Sequence, residues 1–466
     1  MKIKKAVLEY GLLALLLWSP LPAASVEEWS IFVVELIIAV MAAAYILLDG
    51  KPSLNPHLPP ILKRLRLPVA AFFGFLVLQI APLPAALVKI ISPGTYEFQK
   101  LYSPTFPRLK FMSLSLAPGA TLREGLFLAS IFLLGFLVLR TVVRGRRIRT
   151  AIAVLVVSGL FQALYGLFEL TRAHPRLLFY KKALDLDSLS GTFVNRNHLS
   201  GYLEMIVPLA LGLVLARMSL MTFGVKGLKD KLLLWTSKGV LVNVLILAGV
   251  VVMSLGIVLS RSRSGIVVLA FTLFLFFAFS VYSYSRTGFR QPWVGQTVRT
   301  VFLVVVALAV VFGIGSTIRR FGLDDLLRAD RPLYWASTIE IVGDFPVFGT
   351  GLGTYSSVYG AYEKASSNEM ELRHAHNDYL EALAELGVVG TVLLLGIIFY
   401  IAVQAFLLWR ERRNAQARGL ALGGLVSLAG AGVHAVTDFN LHVTANAVLF
   451  TVILGLTLVM AAYRKT

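Results

Sequence analysis

Over 240–284 the chain is apolar for twice the thickness of a bilayer, and the run is broken only by Ser260-Arg261-Ser262-Arg263-Ser264-Gly265. In hydrocarbon every backbone N–H and C=O must be satisfied within the segment. Such a run therefore has one solution, a helical hairpin whose tight turn carries two arginines to the interface. Further apolar runs, each roughly 18 to 22 residues long, fill most of the 466 residues. A chain that is 57% hydrophobic and 15% charged is not a water-soluble domain. The reading is an all-α integral membrane protein, a single polytopic domain over 1–466 with about twelve transmembrane helices.

The formal charge of +19 would indicate a nucleic-acid partner in a soluble chain. Here it is largely topological, because Lys and Arg gather in loops that stay in the cytoplasm. The clusters at 51–66, 144–149, 226–238, 286–299 and 410–418 mark the inside. Besides the hairpin turn, that leaves outside 92–123, which lacks strong periodicity, the loop closing with GTFVNRNHLSGYLE, a long stretch over 318–386, and DFNLHVTAN. The 318–386 segment precedes span ten (387–408) and contains an amphipathic helix with Pro332 in its first turn and Trp335, Ile339 and Val342 on one face. At the start, Lys2, Lys4 and Lys5 precede an apolar run and then Ala23, Ala24 and Ser25, a pattern that fits a first membrane helix and also a signal peptide. With no cysteine, disulfides, thiolate metal sites and thiol nucleophiles are excluded. No internal repeat of the kind that builds many transporters is visible.

The densest set of proton-handling groups is ELRHAHNDYLEALAELGVVGT, 371–391. Leu380, Leu383 and Gly387 recur at helical spacing from Asn377 onward, which predicts His376 at or just before the first turn of a helix entering the bilayer. Hairpin connectivity brings three motifs to this same face: Asn195-Arg196-Asn197-His198, the Arg261-Ser262-Arg263 turn, and His374-Ala375-His376-Asn377. Arginine at a membrane surface is costly unless it meets an anion, and its planar fork fits a pair of phosphate oxygens. A lipid-linked pyrophosphate is one such partner. Ordinary phospholipid headgroups, or ion pairs with Glu204, Asp344 or Asp438, are the competing explanation. His376 reads as a general base for a sugar hydroxyl, since nearby cations favour the uncharged form of an imidazole, although a lone histidine also serves as a packing or capping residue. His374, His376 and Asp378, with Glu381 and Glu385 following, also form a string with zinc-ligating chemistry, but a helix start splays alternate residues and no metal is assigned. GTGLGT, 349–354, has glycines but neither the lysine nor the core strand of a phosphate loop, so it reads as a packed turn.

His376-Asn377, nine residues, Gly387, three residues and Thr391 match the pattern H-[NSQ]-x9-G-x3-[GTY], and here the chain resembles the O-antigen ligase superfamily. GTFVNRNHLSGYLE, SRSRSG, DFPVFGTGLGTY and TDFNLHVTAN resemble that superfamily's pattern in the same order. The resemblance implies a GT-C-like fold with a helical periplasmic region before span ten, in a multi-pass protein of the bacterial inner membrane whose active site faces the periplasm. It implies an inverting, metal-independent and cofactor-free transfer of a glycan from undecaprenyl pyrophosphate to a sugar hydroxyl of lipid A-core. His376 is similar in position to the proposed base, and Arg196 and Arg263, with Arg261 as a looser match, to the arginines that grip the pyrophosphate. Asn195, Asn197, His374, Asn377, Asp378 and Tyr379 are the supporting positions. O-antigen or exopolysaccharide polymerases and protein O-oligosaccharyltransferases carry the same signature with other acceptors. The rival from another class is a lipid or polysaccharide transporter, which would place its ionisable groups near mid-bilayer.

Overall fold

The computed structural model describes residues 2–47, 58–104, 106–142, 145–183, 186–221, 237–287, 300, 303, 331–363 and 373–463. In chain order, α1 (Lys2–Trp18), α2 (Glu28–Leu47) and α3 (Leu58–Ile80) lead into two short helices, α4 (Ala85–Ile91) and α5 (Pro93–Tyr102). Five long helices follow: α6 (Pro118–Thr141), α7 (Gly145–Leu170), α8 (Arg196–Met221), α9 (Lys238–Leu259) and α10 (Arg263–Thr287). The C-terminal part comprises α11 (Arg331–Asp344), the single turn α12 (Tyr355–Tyr359), α13 (Asp378–Glu411), α14 (Ala415–His434) and α15 (Thr444–Ala462). Two antiparallel ribbons of two residues per strand complete it, Leu83 pairing with Met112 and Arg176 with Lys181.

Among the described residues eight helices, α2, α6 to α10, α13 and α15, are long and apolar enough to cross a membrane. That makes this a multi-pass membrane protein. The apolar runs read as spans at about 6–21, 67–87 and 419–435 belong to helices that fall short of that measure. The apolar part of α1 is short, α3 carries Lys63, Arg64, Arg66 and Pro68, and α14 intersperses its apolar residues with five glycines and carries Arg418 and His434. The predicted ninth span, 301–317, lies outside the described residues apart from 303.

Two expectations change. The 92–123 loop is ordered: α5 and the Leu83–Met112 ribbon occupy it, and α6 begins at Pro118 rather than near 125. Proline at a helix's first turn and a ribbon only two residues long both escape a search for periodicity. The apolar face foreseen for α11 is buried only in part, with Trp335 and Val342 half-buried and Val342 packed on the core. Ile339 is exposed, while Ser337, Thr338 and Ile341 face inward, Thr338 sharing a 2.8 Å hydrogen bond with Tyr355.

The centre of the bundle is the pair α8 and α14. A Cβ added at Gly212 would lie 2.7 Å from the Gly419 carbonyl, and one at Gly423 would lie 2.6 Å from that of Pro208. Small residues thus let the two backbones touch, the packing that replaces the hydrophobic effect between helices in lipid. The alternating course of the chain then sets the N-termini of α8, α10, α13 and α15 and the C-termini of α9 and α14 at one end of the bundle. Contacts tie them there: Ser200 to Ser260 at 2.7 Å, Ser264 to Thr437 at 2.9 Å, and Asn446 to the His198 carbonyl at 3.1 Å.

Candidate active site

His376 stands just outside α13, held on both sides. Asn377 is the N-cap, its Oδ1 accepting from the amides of Tyr379 at 3.0 Å and Leu380 at 3.1 Å, worth about 1 kcal/mol to the helix. Before it, the Ala375 amide donates to Glu381 Oε2 at 2.8 Å and the Ala375 carbonyl accepts from the Trp335 indole at 3.1 Å. The Asp378 amide donates to the Ala435 carbonyl at 2.9 Å. With its neighbours pinned, His376 takes a left-handed backbone, φ 50°. For a residue with a Cβ this costs roughly 1–2 kcal/mol, a strain that persists only where the surroundings over-determine it.

The imidazole turns to the 437–442 loop, where His376 Nδ1 lies 3.2 Å from Asp438 Oδ1. Asp438 is fully buried. His198 Nε2 approaches the same oxygen at 3.7 Å, and Arg331 comes within 3.8 Å of Asp438 Oδ2. Burial alone would raise the Asp438 carboxyl, but the bonds from His198 and His376 and the charges of His198 and Arg331 outweigh it and hold the group well below the usual carboxylate range. An ionised Asp438 takes the Nδ1–H of His376, leaving the Nε2 lone pair free to accept a proton. The charged group nearest His376 is thus an acid, with the Arg331 guanidinium on its far side. Phe439 fixes the spacing, its ring 4.5, 4.2 and 4.7 Å from those of His198, His374 and His376.

The other foreseen residues fall around this dyad. Asn195 caps α8, its Oδ1 accepting from the Asn197 amide at 2.8 Å, so Arg196, Asn197 and His198 occupy the first turn. Arg263 opens α10, and its neighbour Ser264 bonds Thr437, the residue before Asp438. Arg261 turns to Asp187 as an ion pair and takes a left-handed φ of 57°. Tyr379 donates its hydroxyl to the Gly432 carbonyl at 2.8 Å. The H-x-H-x-D string divides: His374 meets Glu381 at 2.7 Å, His376 meets Asp438, and Asp378 meets His442 at 2.8 Å. Sequence reasoning missed Asp438, His442 and Arg331 as site groups and named His198 only within its motif. The visible signal was TDFNLHVTAN, where an acid and a histidine four residues apart sit at the mouth of a span.

Nine residues into α13 the helix breaks at Gly387, φ 59° and ψ −173°. The amides of Val388 and Val389 leave the helical ladder for the carbonyls of Pro346 at 2.8 Å and Val347 at 3.3 Å. The abandoned carbonyls of Ala384 and Glu385 each accept an amide, from Thr350 and Gly351, at 2.9 Å. Only glycine fits, since a Cβ at Gly387 would lie 2.3 Å from the Val347 carbonyl oxygen. GTGLGT is thus a packed turn with its amides committed: that of Gly353, with that of Tyr355 just after the turn, donates to the Glu385 carboxylate at 2.8 Å. Thr391 spans the break, its hydroxyl on the Ala382 carbonyl at 2.9 Å. The spacing from His376 to Gly387 to Thr391 is therefore one device that presents a capped polar stub at an angle to the helix below.

Beneath the stub lies a cavity of about 900 Å³, walled by apolar side chains such as Leu275, Phe279, Leu394 and Phe399, with Asp378, Tyr379 and His442 at its polar end. Glu204 and His434, 2.6 Å apart and fully buried, join α8 to α14 nearby.

Residues 248–395 match the model of a family described as O-antigen ligase. No curated protein matches the chain. The matched segment holds the SRSRSG turn, His376, Gly387 and Thr391, while Arg196 and Asp438 lie outside it. That match falls on the helix break and on the histidine that the break presents, and over this third of the chain it supports a resemblance to the O-antigen ligase superfamily.

Proposed function

We propose that this chain is an O-antigen ligase, moving a glycan from undecaprenyl pyrophosphate to a sugar hydroxyl of lipid A-core at the periplasmic face of the bacterial inner membrane. The observation that carries the reading is the convergence of the His376–Asp438 pair with the starts of α8 and α10, where Arg196 and Arg263 stand. In the step, His376 Nε2 takes the acceptor hydroxyl proton as the oxygen attacks the anomeric carbon. The bond from that carbon to the pyrophosphate oxygen breaks, and its electron pair leaves with the lipid diphosphate. Arg196 and Arg263 stabilise that charge, the role a metal plays at the leaving group of other transferases, and Arg261, braced by Asp187, is a third cation at the turn. The side chain of Asp438 keeps His376 in the required tautomer. One displacement inverts the configuration at the sugar. The apolar cavity has the chemistry to take a polyprenyl chain, and the cation-rich loops at the other end of the bundle support a cytoplasmic placement there.

The test uses the purified full chain in detergent with undecaprenyl-pyrophosphate glycan, offered lipid A-core, a second lipid-linked glycan, or a serine-containing peptide. Transfer to lipid A-core with inverted configuration, abolished in His376→Ala, is the expected result. Elongation of the second glycan makes the chain a polymerase, and glycosylation of the peptide makes it a protein oligosaccharyltransferase. Transfer that persists in His376→Ala, or a product retaining the donor's configuration, ends the mechanism. Movement of the donor across proteoliposomes without transfer makes it a transporter.

A further inference from the structure

Beside the dyad, three side chains point at one spot. His374 Nδ1, one Glu381 carboxylate oxygen and a His442 ring nitrogen all lie within 4.8 Å of one another. Glu381 is buried, whereas His374 and His442 remain 29% and 31% exposed, so the spot opens to solvent on one side. The outer contacts are those that orient metal ligands. Asp378 Oδ1 holds His442 Nδ1 at 2.8 Å, which aims Nε2 at Glu381 Oε1, 3.4 Å away. The second Glu381 oxygen is fixed by the Ala375 amide.

We propose that His374, Glu381 and His442 form a zinc site, with Asp378 as the carboxylate behind His442. Two imidazoles and one carboxylate with an open fourth position is a zinc ligand set, whereas calcium and magnesium select all-oxygen shells. Ligand atoms 2.0–2.2 Å from a tetrahedral ion are about 3.3–3.5 Å apart. His442 and Glu381 already have that separation, and His374, 2.7 Å from Glu381, needs only to draw back slightly. The ion clamps the first turn of α13 to the 437–442 loop, between His374, two residues before His376, and His442, four residues after Asp438. It positions the pair without touching the reacting atoms, and its presence does not depend on the transfer reaction proposed above.

The test is metal content of the untagged full chain in detergent, stripped with chelator, reloaded with zinc sulfate and desalted. About one zinc per chain is expected, with affinity in competition against a zinc indicator falling about 10–100-fold in Asp378→Asn and further in His374→Gln and His442→Gln. His376→Ala should bind zinc as the wild type does. Should the histidine variants fail to fold, zinc-edge X-ray absorption of the wild type should show two imidazoles and an oxygen donor. Wild-type chain that retains no zinc, affinity unchanged in both histidine variants, or a spectrum without two imidazoles overturns the site.

Discussion

Glu385 and Asp438 are both buried carboxylates at the same end of the bundle, and their partners differ in kind. Glu385 is held by backbone: the amides of Gly353 in the GTGLGT turn and of Tyr355 just after it, both at 2.8 Å, with Gln79 bonding its own carbonyl at 3.0 Å. Asp438 accepts one backbone amide, that of Phe439 at 2.9 Å, and is otherwise approached by side chains, those of His376, His198 and Arg331. Backbone donors cannot titrate or swing away, so a carboxylate sealed by them can only build. One addressed by imidazoles can orient a group that gains and loses a proton. The difference assigns architecture to the first acid and chemistry to the second, and substitutions at each should fail in different ways.

The largest effect is expected at His376. Removing a general base lowers turnover by about 10²–10⁴-fold, and His376→Ala should do so while melting near the wild-type temperature, since the side chain is partly exposed and alanine keeps the Cβ that this left-handed backbone already accommodates. A steep loss of thermal stability together with activity would move His376 to the structural side of the comparison.

Asp438→Asn should follow, with kcat down about 10²–10³-fold and KM little changed, because an amide leaves the histidine in place but favours the wrong tautomer. The pH profile sharpens this. A carboxyl held below its unfolded value of about 3.9 contributes stability that is fully present above that pH and is lost only as pH falls through the lower, folded value. Asp438 therefore stays ionised throughout the working range, and the acidic limb of the wild-type rate profile should not coincide with its protonation. A limb that persists unshifted in Asp438→Asn would separate the two residues functionally.

At the sealed acid the expected loss is stability instead. Gly387→Ala forces a Cβ into the Val347 carbonyl and a left-handed φ, and Glu385→Gln puts an amide where two backbone donors converge. Each should cost about 2–4 kcal/mol, read as a lower melting temperature in detergent, with turnover per folded molecule within a few-fold of wild type. Normal stability with lost turnover would place Glu385 in the chemistry.

The sequence makes the helices legible because bilayer length and hydropathy are local properties, and it makes His376, Asn377 and Gly387 legible as a helix start with a fixed spacing. Asp438 was out of reach for a physical reason. Its partner is 62 residues away in the chain, and nothing local tells an acid that caps a loop from one that orients a base. The same applies to His442, whose two nitrogens meet residues of another helix. The role of Glu385 was not legible either, because its satisfaction comes from amides 30 and 32 residues upstream, which carry no side-chain signature.

The smallest effect probes whether the break itself matters to the pair. The Thr391 hydroxyl donates to the Ala382 carbonyl on the far side of Gly387, the single side-chain bond described across that kink from within α13. Thr391→Val keeps the shape and removes one hydrogen bond, worth about 1 kcal/mol. If the kink only terminates the polar stub, melting falls slightly and turnover stays put. If the kink sets the angle at which His376 meets the acceptor, turnover drops several-fold for the same small loss of stability, while Thr391→Ser, which keeps the hydroxyl, restores it. That outcome would extend the chemical side of the comparison, through the stub, to a residue four turns away from the base.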